Sequence, residues 1–277
     1  MKKSKVIIPA LGMLLLSTAA SITGTVAWFT ANNKVNVSGM NIKAEAENGI
    51  VIANETHAAD ADWLTTITAS HSGAGKTFIP TSTADLATWY HGLSDEVNNG
   101  QHNVDYDTFG AMTLTDGVAS AKSSKHFTAD AKNVYLLNDF YVQASAKTAI
   151  TNQKIFIEEI AITGNSDSIE LDKSLRVGLM VNNAKVGIYA PLSGATTSYT
   201  VGGAEGTSVS AIDVSASDDS NLAYTGDIPA YDTAGATNIK FSVFVYFEGE
   251  DTNHKSANIK ETLDTLALSF KLRNANA

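Results

Sequence analysis

The chain of 277 residues contains no cysteine and only four prolines, and only 17% of its residues are charged. Without a thiol there is no disulfide framework, no thiolate metal site, no catalytic cysteine and no cysteine for lipid attachment. Charge is low against the roughly 25% of an ordinary domain, while 44% of the residues are hydrophobic. That balance excludes a charged disordered chain and supplies enough apolar side chain for a core. Basic residues are the scarcer sign, 19 Lys and Arg against 29 Asp and Glu, for a formal charge of −10. Three of the lysines, Lys2, Lys3 and Lys5, stand at the N-terminus, and without them the remainder carries −13. Such a surface repels phosphate backbones, so no nucleic acid is expected as a partner. At about 150 residues per domain the length suits one or two domains, and β-sandwiches reach about 250 residues as one.

Those three lysines precede an apolar run from Val6 through Ala20 and then small residues, the tripartite form of an export signal. Thr25 and Ala27 put small side chains three residues and one residue before a cut between Ala27 and Trp28, as a signal peptidase pocket requires; Thr18-Ala19-Ala20 is a weaker alternative. Trp28 is therefore the expected mature N-terminus, with 1–27 as signal peptide. Left uncut, Val6 to Phe29 is about long enough to span a hydrocarbon core of roughly 30 Å. The membrane enters as a partner only in that case, because no second apolar stretch of that length and no sorting motif follow.

Beyond Trp28 the dominant period is two. Val35, Val37, Ile42, Ala44 and Ala46 alternate with Asn36, Ser38, Lys43 and Glu45, and Gly39 interrupts the register as a bulge or bend would. Leu175, Val177, Leu179 and Val181 form one apolar face, and Leu266, Leu268, Phe270 and Leu272 another. The run 239–247 is apolar on both faces in its second half, which suits a central strand covered on both sides. Gly, Ser, Thr, Asn and Asp clusters separate these segments. With no alternation of strands and long helices, the expectation is an all-β antiparallel sandwich in one domain, 28–277. One segment differs: Leu86, Trp89, Tyr90 and Leu93 fall at helical spacing, with Thr83 to cap the start and Gly92 near the stop. It predicts a short helix inside a polar insertion at about 57–132.

Motifs with chemical potential are thin. Ser70-His71-Ser72-Gly73-Ala74-Gly75-Lys76-Thr77 is similar to a phosphate-binding loop, but Ser70 replaces the first glycine and Pro80 obstructs the helix that should follow. It reads as a surface loop. None of His57, His71, His91, His102, His126 and His254 has the spacing that places two imidazoles on one helical face toward zinc. Asp105, Asp107, Asp218, Asp219 and the run Glu248-Gly249-Glu250-Asp251 offer oxygen ligands without the regular twelve-residue calcium loop. An irregular structural calcium site stays open, no cofactor is expected, and no nucleophile elbow points to catalysis. The expectation is a protein that is not an enzyme.

Gly24-Thr25-Val26-Ala27-Trp28-Phe29-Thr30, followed by Val37-Ser38-Gly39-Met40-Asn41-Ile42-Lys43-Ala44, resembles the start of the TasA/camelysin family of exported Gram-positive proteins. A looser likeness is the strand 243–247 with its Glu248-Gly249-Glu250-Asp251 turn and the closing strand 266–272. The resemblance implies a jelly-roll domain, processing by a SipW-type signal peptidase, and an extracellular or cell-surface location on a Gram-positive bacterium. It also implies fibres of the biofilm matrix built from copies of the chain or related subunits, the N-terminal segment of one adding as a strand to the next. The peptidase activity associated with camelysin is not carried over, since no metal motif supports it. Physically, a strand freed by cleavage can fill an open sheet edge, and head-to-tail repetition makes a filament. Val35, Val37, Met40 and Ile42 are the expected assembly contacts, with Trp28 and Phe29 as anchors. The alternative is that Val35 to Ala46 is the first strand of its own sandwich and Trp28-Phe29 a frayed end. A rival function is a monomeric adhesin or glycan-binding module presenting Trp63, Trp89, Tyr90, Tyr106 and Phe109, unless these rings form a satellite core under a long loop.

Overall fold

A computed structural model of the chain describes residues 35–37, 40–47, 49–56, 62–98, 101–110, 112–121, 132–163, 173–191, 194–201, 207–210, 212–213, 221–231, 238–251, 262–263 and 266–274. Along the chain come β1 (Val35–Val37), β2 (Met40–Glu47), β3 (Ile50–Ala53), β4 (Thr66–Thr68), β5 (Lys76–Phe78), β6 (Ser82–Thr83) and β7 (Trp89–Asn98). Next are β8 (Gln101–Phe109), β9 (Thr113–Thr115), β10 (Val118–Ala121), β11 (Lys132–Ala144), β12 (Ile150–Thr163), β13 (Leu175–Val181) and β14 (Ala184–Ala190). The last third holds β15 (Ser198–Val201), β16 (Thr207–Ser210), β17 (Ile212–Asp213), β18 (Leu222–Ile228), β19 (Ile239–Phe247), β20 (Thr262–Leu263) and β21 (Leu266–Asn274). The protein is all-β, with mainly antiparallel sheets in a sandwich-like arrangement.

An eleven-stranded sheet runs β17-β14-β13-β19-β11-β5-β1-β20, with β3, β9 and β10 attached off that path, and a five-stranded sheet runs β18-β12-β21-β2-β4. The antiparallel trio β13, β19 and β11 is in register at Val177, Val245 and Leu136. Period-two alternation sends Phe241, Val243, Val245 and Phe247 to one face. There they join Leu136, Phe140, Val177 and Leu179 against Ile155, Ile157, Ala223 and Ile228 of the smaller sheet. Each Val, Leu, Ile or Phe side chain among them contributes roughly 1.5–3 kcal/mol on full burial. This is the sandwich core.

A second core covers the opposite face of the large sheet. Phe244, Tyr246, Val134, Ile188 and Ala190 pack there against Ile79, Leu86, Trp89, Phe109, Tyr199 and Val201. The covering layer is the three-stranded sheet β6-β7-β8 together with β15. The expectation that β19 is covered on both sides holds, every residue but Lys240 being buried. For β13 the alternation indicates one buried face, but the outer layer buries the other as well, so that only Met180 is even partly exposed.

The helix expected over Leu86–Leu93 is a turn followed by the strand β7. Thr83 does cap, its Oγ1 accepting the Leu86 N–H at 2.9 Å, and Asp85 Oδ1 accepts from Ala87 N (2.9 Å) and Thr88 N (2.7 Å). Burial of Asp85 opposes its charge, yet these bonds hold its carboxyl below the ordinary value. Leu86 then turns left-handed at φ 61°, which no α-helix tolerates. Trp89 and Tyr90 therefore alternate on a strand, the first fully buried and the second half-buried. Of the segment expected as an insertion, β4 joins the five-stranded sheet, β5, β9 and β10 join the large one, and β6-β7-β8 form the outer layer.

Candidate functional site

The N-terminal strands sit inside both sheets. β1 lies between β5, antiparallel with Val35 opposite Phe78, and β20, parallel with Val37 opposite Leu263. β2 lies between β4, antiparallel, and the last strand β21, parallel over the whole of Met40 to Glu47. Val35 and Val37 thus belong to the backbone ladder of one sheet, Met40 and Ile42 to that of the other. The chain changes sheets between Val37 and Met40, where the sequence places Gly39. These pairings are made within one chain. Ala27, Trp28 and Phe29, the cleavage and anchor residues, lie outside the described residues.

Next to this seam is the turn that follows β19. Glu248 and Asp251, expected in an oxygen-rich loop, are fully buried, and Glu250 nearly so. A buried guanidinium occupies the place a cation would take. Arg176 Nη1 donates to Lys173 O (2.8 Å) and Leu175 O (2.9 Å), and Nη2 donates to Thr196 O (2.6 Å) and Asp251 Oδ2 (2.5 Å). Thr196 adds its amide to Asp251 Oδ2 at 2.8 Å. Burial alone would weaken the hold of Arg176 on its proton, but Glu248 and Asp251 reverse that and raise its pKa. The Tyr199 ring lies 5.9 Å from the guanidinium carbon, within cation–π range.

Glu248 is less well matched. Its Oε1 accepts from Ser82 Oγ and from Glu250 N (2.9 Å), and the buried Tyr199 and Tyr246 hydroxyls lie beside the same carboxylate. Burial pushes the Glu248 carboxyl up to about 7, against the opposing pull of Arg176, the Glu250 amide, Ser82 and Tyr199. Burial likewise raises both tyrosines, with the Glu248 charge adding to it. The backbone closes around the same point: Thr81 N donates to Phe247 O (2.9 Å), Gly249 N to Thr81 O (3.1 Å) and Glu248 N to Ser174 O (2.7 Å).

The remaining sequence candidates separate. The segment Ser70–Thr77 runs through a turn at Gly75 (φ 70°) into β5, so no helix N-terminus follows it. His71 is tied through its backbone to the Asn138 side chain, and buried His91 places Nδ1 2.7 Å from Pro80 O. Trp89 stacks on Tyr135 at 4.5 Å and meets Tyr246 edge-on at 4.9 Å. With Trp63 and Phe109 also buried, these three of the expected rings are core, while Tyr90 is half-buried. An open groove of about 630 Å³ lies beside β4, lined by Asn54, Glu55, Asp62, Leu64, Thr66 and Thr68 among others. Arg176 is the residue that sequence reading missed. Its signal was an arginine inside an apolar strand in a chain that also carries an acidic Glu-Gly-Glu-Asp turn.

No protein-family model, no curated protein and no solved structure matches the chain.

Proposed function

We propose that this is a secreted structural protein, the subunit of an extracellular or cell-surface fibre of the biofilm matrix, joined to its neighbours by exchange of the N-terminal strands. The observation that carries the reading is the position of β1 and β2. Each has a strand on both sides, so withdrawing the N-terminal segment leaves a strand-wide slot in each sheet. The same segment of another copy refills those slots with the same backbone hydrogen bonds, so exchange needs no surface that the single chain lacks. The hinge is short: β2 ends at Glu47 and β3 begins at Ile50, with Gly49 at φ 79° between them, a conformation that favours glycine. Straightening that turn releases the segment, and an open head-to-tail series of such exchanges is a filament.

Electron microscopy of the processed protein with and without residues 28–36 tests this. Fibres from the long form and monomers from the short one are expected, and a peptide of residues 28–47 should terminate growth. Monomers from the correctly processed long form, at concentrations where the leader is quantitatively removed, refute it. The second reading, a surface binding module, draws on the groove with Glu55, Asp62 and half-exposed Leu64. Saturable binding of a purified wall glycan, lost on Asp62→Ala, would favour it instead.

A further inference from the structure

We infer that the slot holding β2 selects the N-terminal segment of a second copy by charge, Glu45 and Glu47 of the entering strand being read by Lys271 and Arg273 of β21. The inference rests on the reading of β1 and β2 as exchangeable strands and names what makes the exchange specific. β2 and β21 run parallel, in register from Met40 opposite Leu266 to Glu47 opposite Arg273. Within that ladder Glu45 stands opposite Lys271 and Glu47 opposite Arg273, two acids of one strand matched by two bases of the other. Positions two apart on a strand share a face, so both pairs belong to the same face of the sheet. β4 identifies that face. Its Thr66, opposite Glu45, and Thr68, opposite Lys43, are exposed, whereas Ile67, opposite Ala44, is buried in the sandwich core. The charged positions therefore follow the phase turned away from the core, where paired positions of opposite sign attract and those of like sign repel.

β12 flanks the other side of β21, with Glu159 opposite Lys271 and Phe156 opposite Arg273. Lys271 thus stands between two acidic positions, while Arg273 has an acid in its row only through Glu47. Withdrawing β2 leaves Lys271 beside Glu159 and Arg273 unmatched in its row, so the empty slot favours a strand that brings a carboxylate to that position. The pattern also fixes register. Sliding β2 by two residues toward the end of β21 sets Lys43 opposite Lys271, and sliding it two the other way sets Glu45 opposite Ser269 and takes Glu47 from Arg273. A slip of one residue carries both acids onto the phase of Phe270 and Leu272. The slot of β1 has no such code: Val35, Asn36 and Val37 meet Phe78, Thr77 and Lys76 on one side, and Asn36 and Val37 meet Thr262 and Leu263 on the other. Rejection of a strand with the same apolar alternation but other charges falls to β2.

The test titrates fluorescent peptides of residues 28–47, one native and one carrying Glu45→Lys and Glu47→Lys, into the processed full-length protein. This arm changes nothing in the protein, so it decides even where a variant chain fails to fold. The reversed peptide is expected to incorporate at least about tenfold more weakly at low salt. The gap should narrow at about 1 M salt, where the screening length is about 3 Å. A second arm uses the chain with Glu47→Arg and Arg273→Glu, which keeps opposite signs in that row. There a peptide with Glu47→Arg is expected to outcompete the native peptide by about threefold or more, the reverse of their order on the native chain. Equal incorporation of the native and reversed peptides, a gap that salt does not change, or the same peptide order on both chains overturns the charge code and leaves strand exchange standing. Incorporation of no peptide by either chain overturns strand exchange and the code with it.

Discussion

Alanine at position 178 tests whether the outer layer is pressed against the large sheet, because the sign of its effect depends on it. Gly178 lies in the middle of β13, where glycine carries an entropic penalty, so Gly→Ala at an unobstructed strand position stabilises by roughly 0.4–1 kcal/mol. Here a Cβ would fall 2.4 Å from Leu86 Cδ2 and 3.0 Å from Cδ1. Leu86 has little room to retreat: it is 3% exposed, its backbone is left-handed at φ 61°, and its amide is held by Thr83. Overpacking of this kind costs about 1–3 kcal/mol, so Gly178→Ala is expected to destabilise. At roughly 2–4 °C per kcal/mol for a chain of this size, its Tm falls by about 2–12 °C. Leu86→Ala removes the obstruction and opens a cavity, at about 2–5 kcal/mol. The double variant should then be less destabilised than the sum of the two by at least about 1 kcal/mol. Denaturant unfolding of the four proteins measures the cycle. A stabilising Gly178→Ala, or additivity within about 0.5 kcal/mol, refutes the contact and with it the second core.

Three further outcomes follow from the buried cluster and the aromatic layer. Glu248 has a folded pKa above its ordinary 4.5, so its neutral form adds stability that is full below that value and lost as the pH rises through about 7. Glu248→Gln should therefore raise stability at about pH 8, by up to about 3 kcal/mol, change little at about pH 4, and flatten the profile between them in pH-dependent thermal melts. Arg176→Met leaves Asp251 and Glu248 buried without their cation and should cost about 3–5 kcal/mol. Adding Asp251→Asn and Glu248→Gln should recover part of that loss, as read from denaturant midpoints. Trp89→Ala empties the space between Tyr135, Tyr246 and Phe244 and should cost about 3–5 kcal/mol, with the unfolding transition remaining cooperative.

What could be read from the sequence was the alternation, and what could not was the partner of each strand. The apolar phases of 35–46 and 266–272 mark strands correctly, and 239–247 declares itself a central strand because both its phases are apolar. Nothing in period two says that Val35–Val37 and Met40–Glu47 belong to different sheets, or that the second runs parallel to the last strand. That is a matter of register between segments more than two hundred residues apart. The helix at Leu86 failed for a related reason. Four apolar residues at helical spacing cover barely two turns, and a capped turn followed by a strand places Leu86 and Trp89 in the same core equally well. Arg176 was invisible because alternation assigns it to the polar face of β13, and that face is buried only by a layer whose own sequence reads as a polar insertion.

The same concealment bears on why the chain keeps an ionic cluster where apolar residues would pack. A buried pair of this kind adds little net stability over a hydrophobic replacement, but its bonds are directional. Arg176 reaches two carbonyls near the start of β13, one before β15 and the carboxylate of Asp251, and Ser82 and the Glu250 amide converge on Glu248. Four chain segments distant in sequence therefore meet in one arrangement, and a slip of β19 by one residue would exchange buried Glu248 for Phe247 and break every bond in the cluster. If the N-terminal strands exchange as proposed, the slot they leave needs walls whose register does not depend on the strand inside it. Polar pinning of Thr81 and Ser82, which follow β5, to the end of β19 and its turn would supply that independence, which a purely apolar contact, tolerant of sliding, would not.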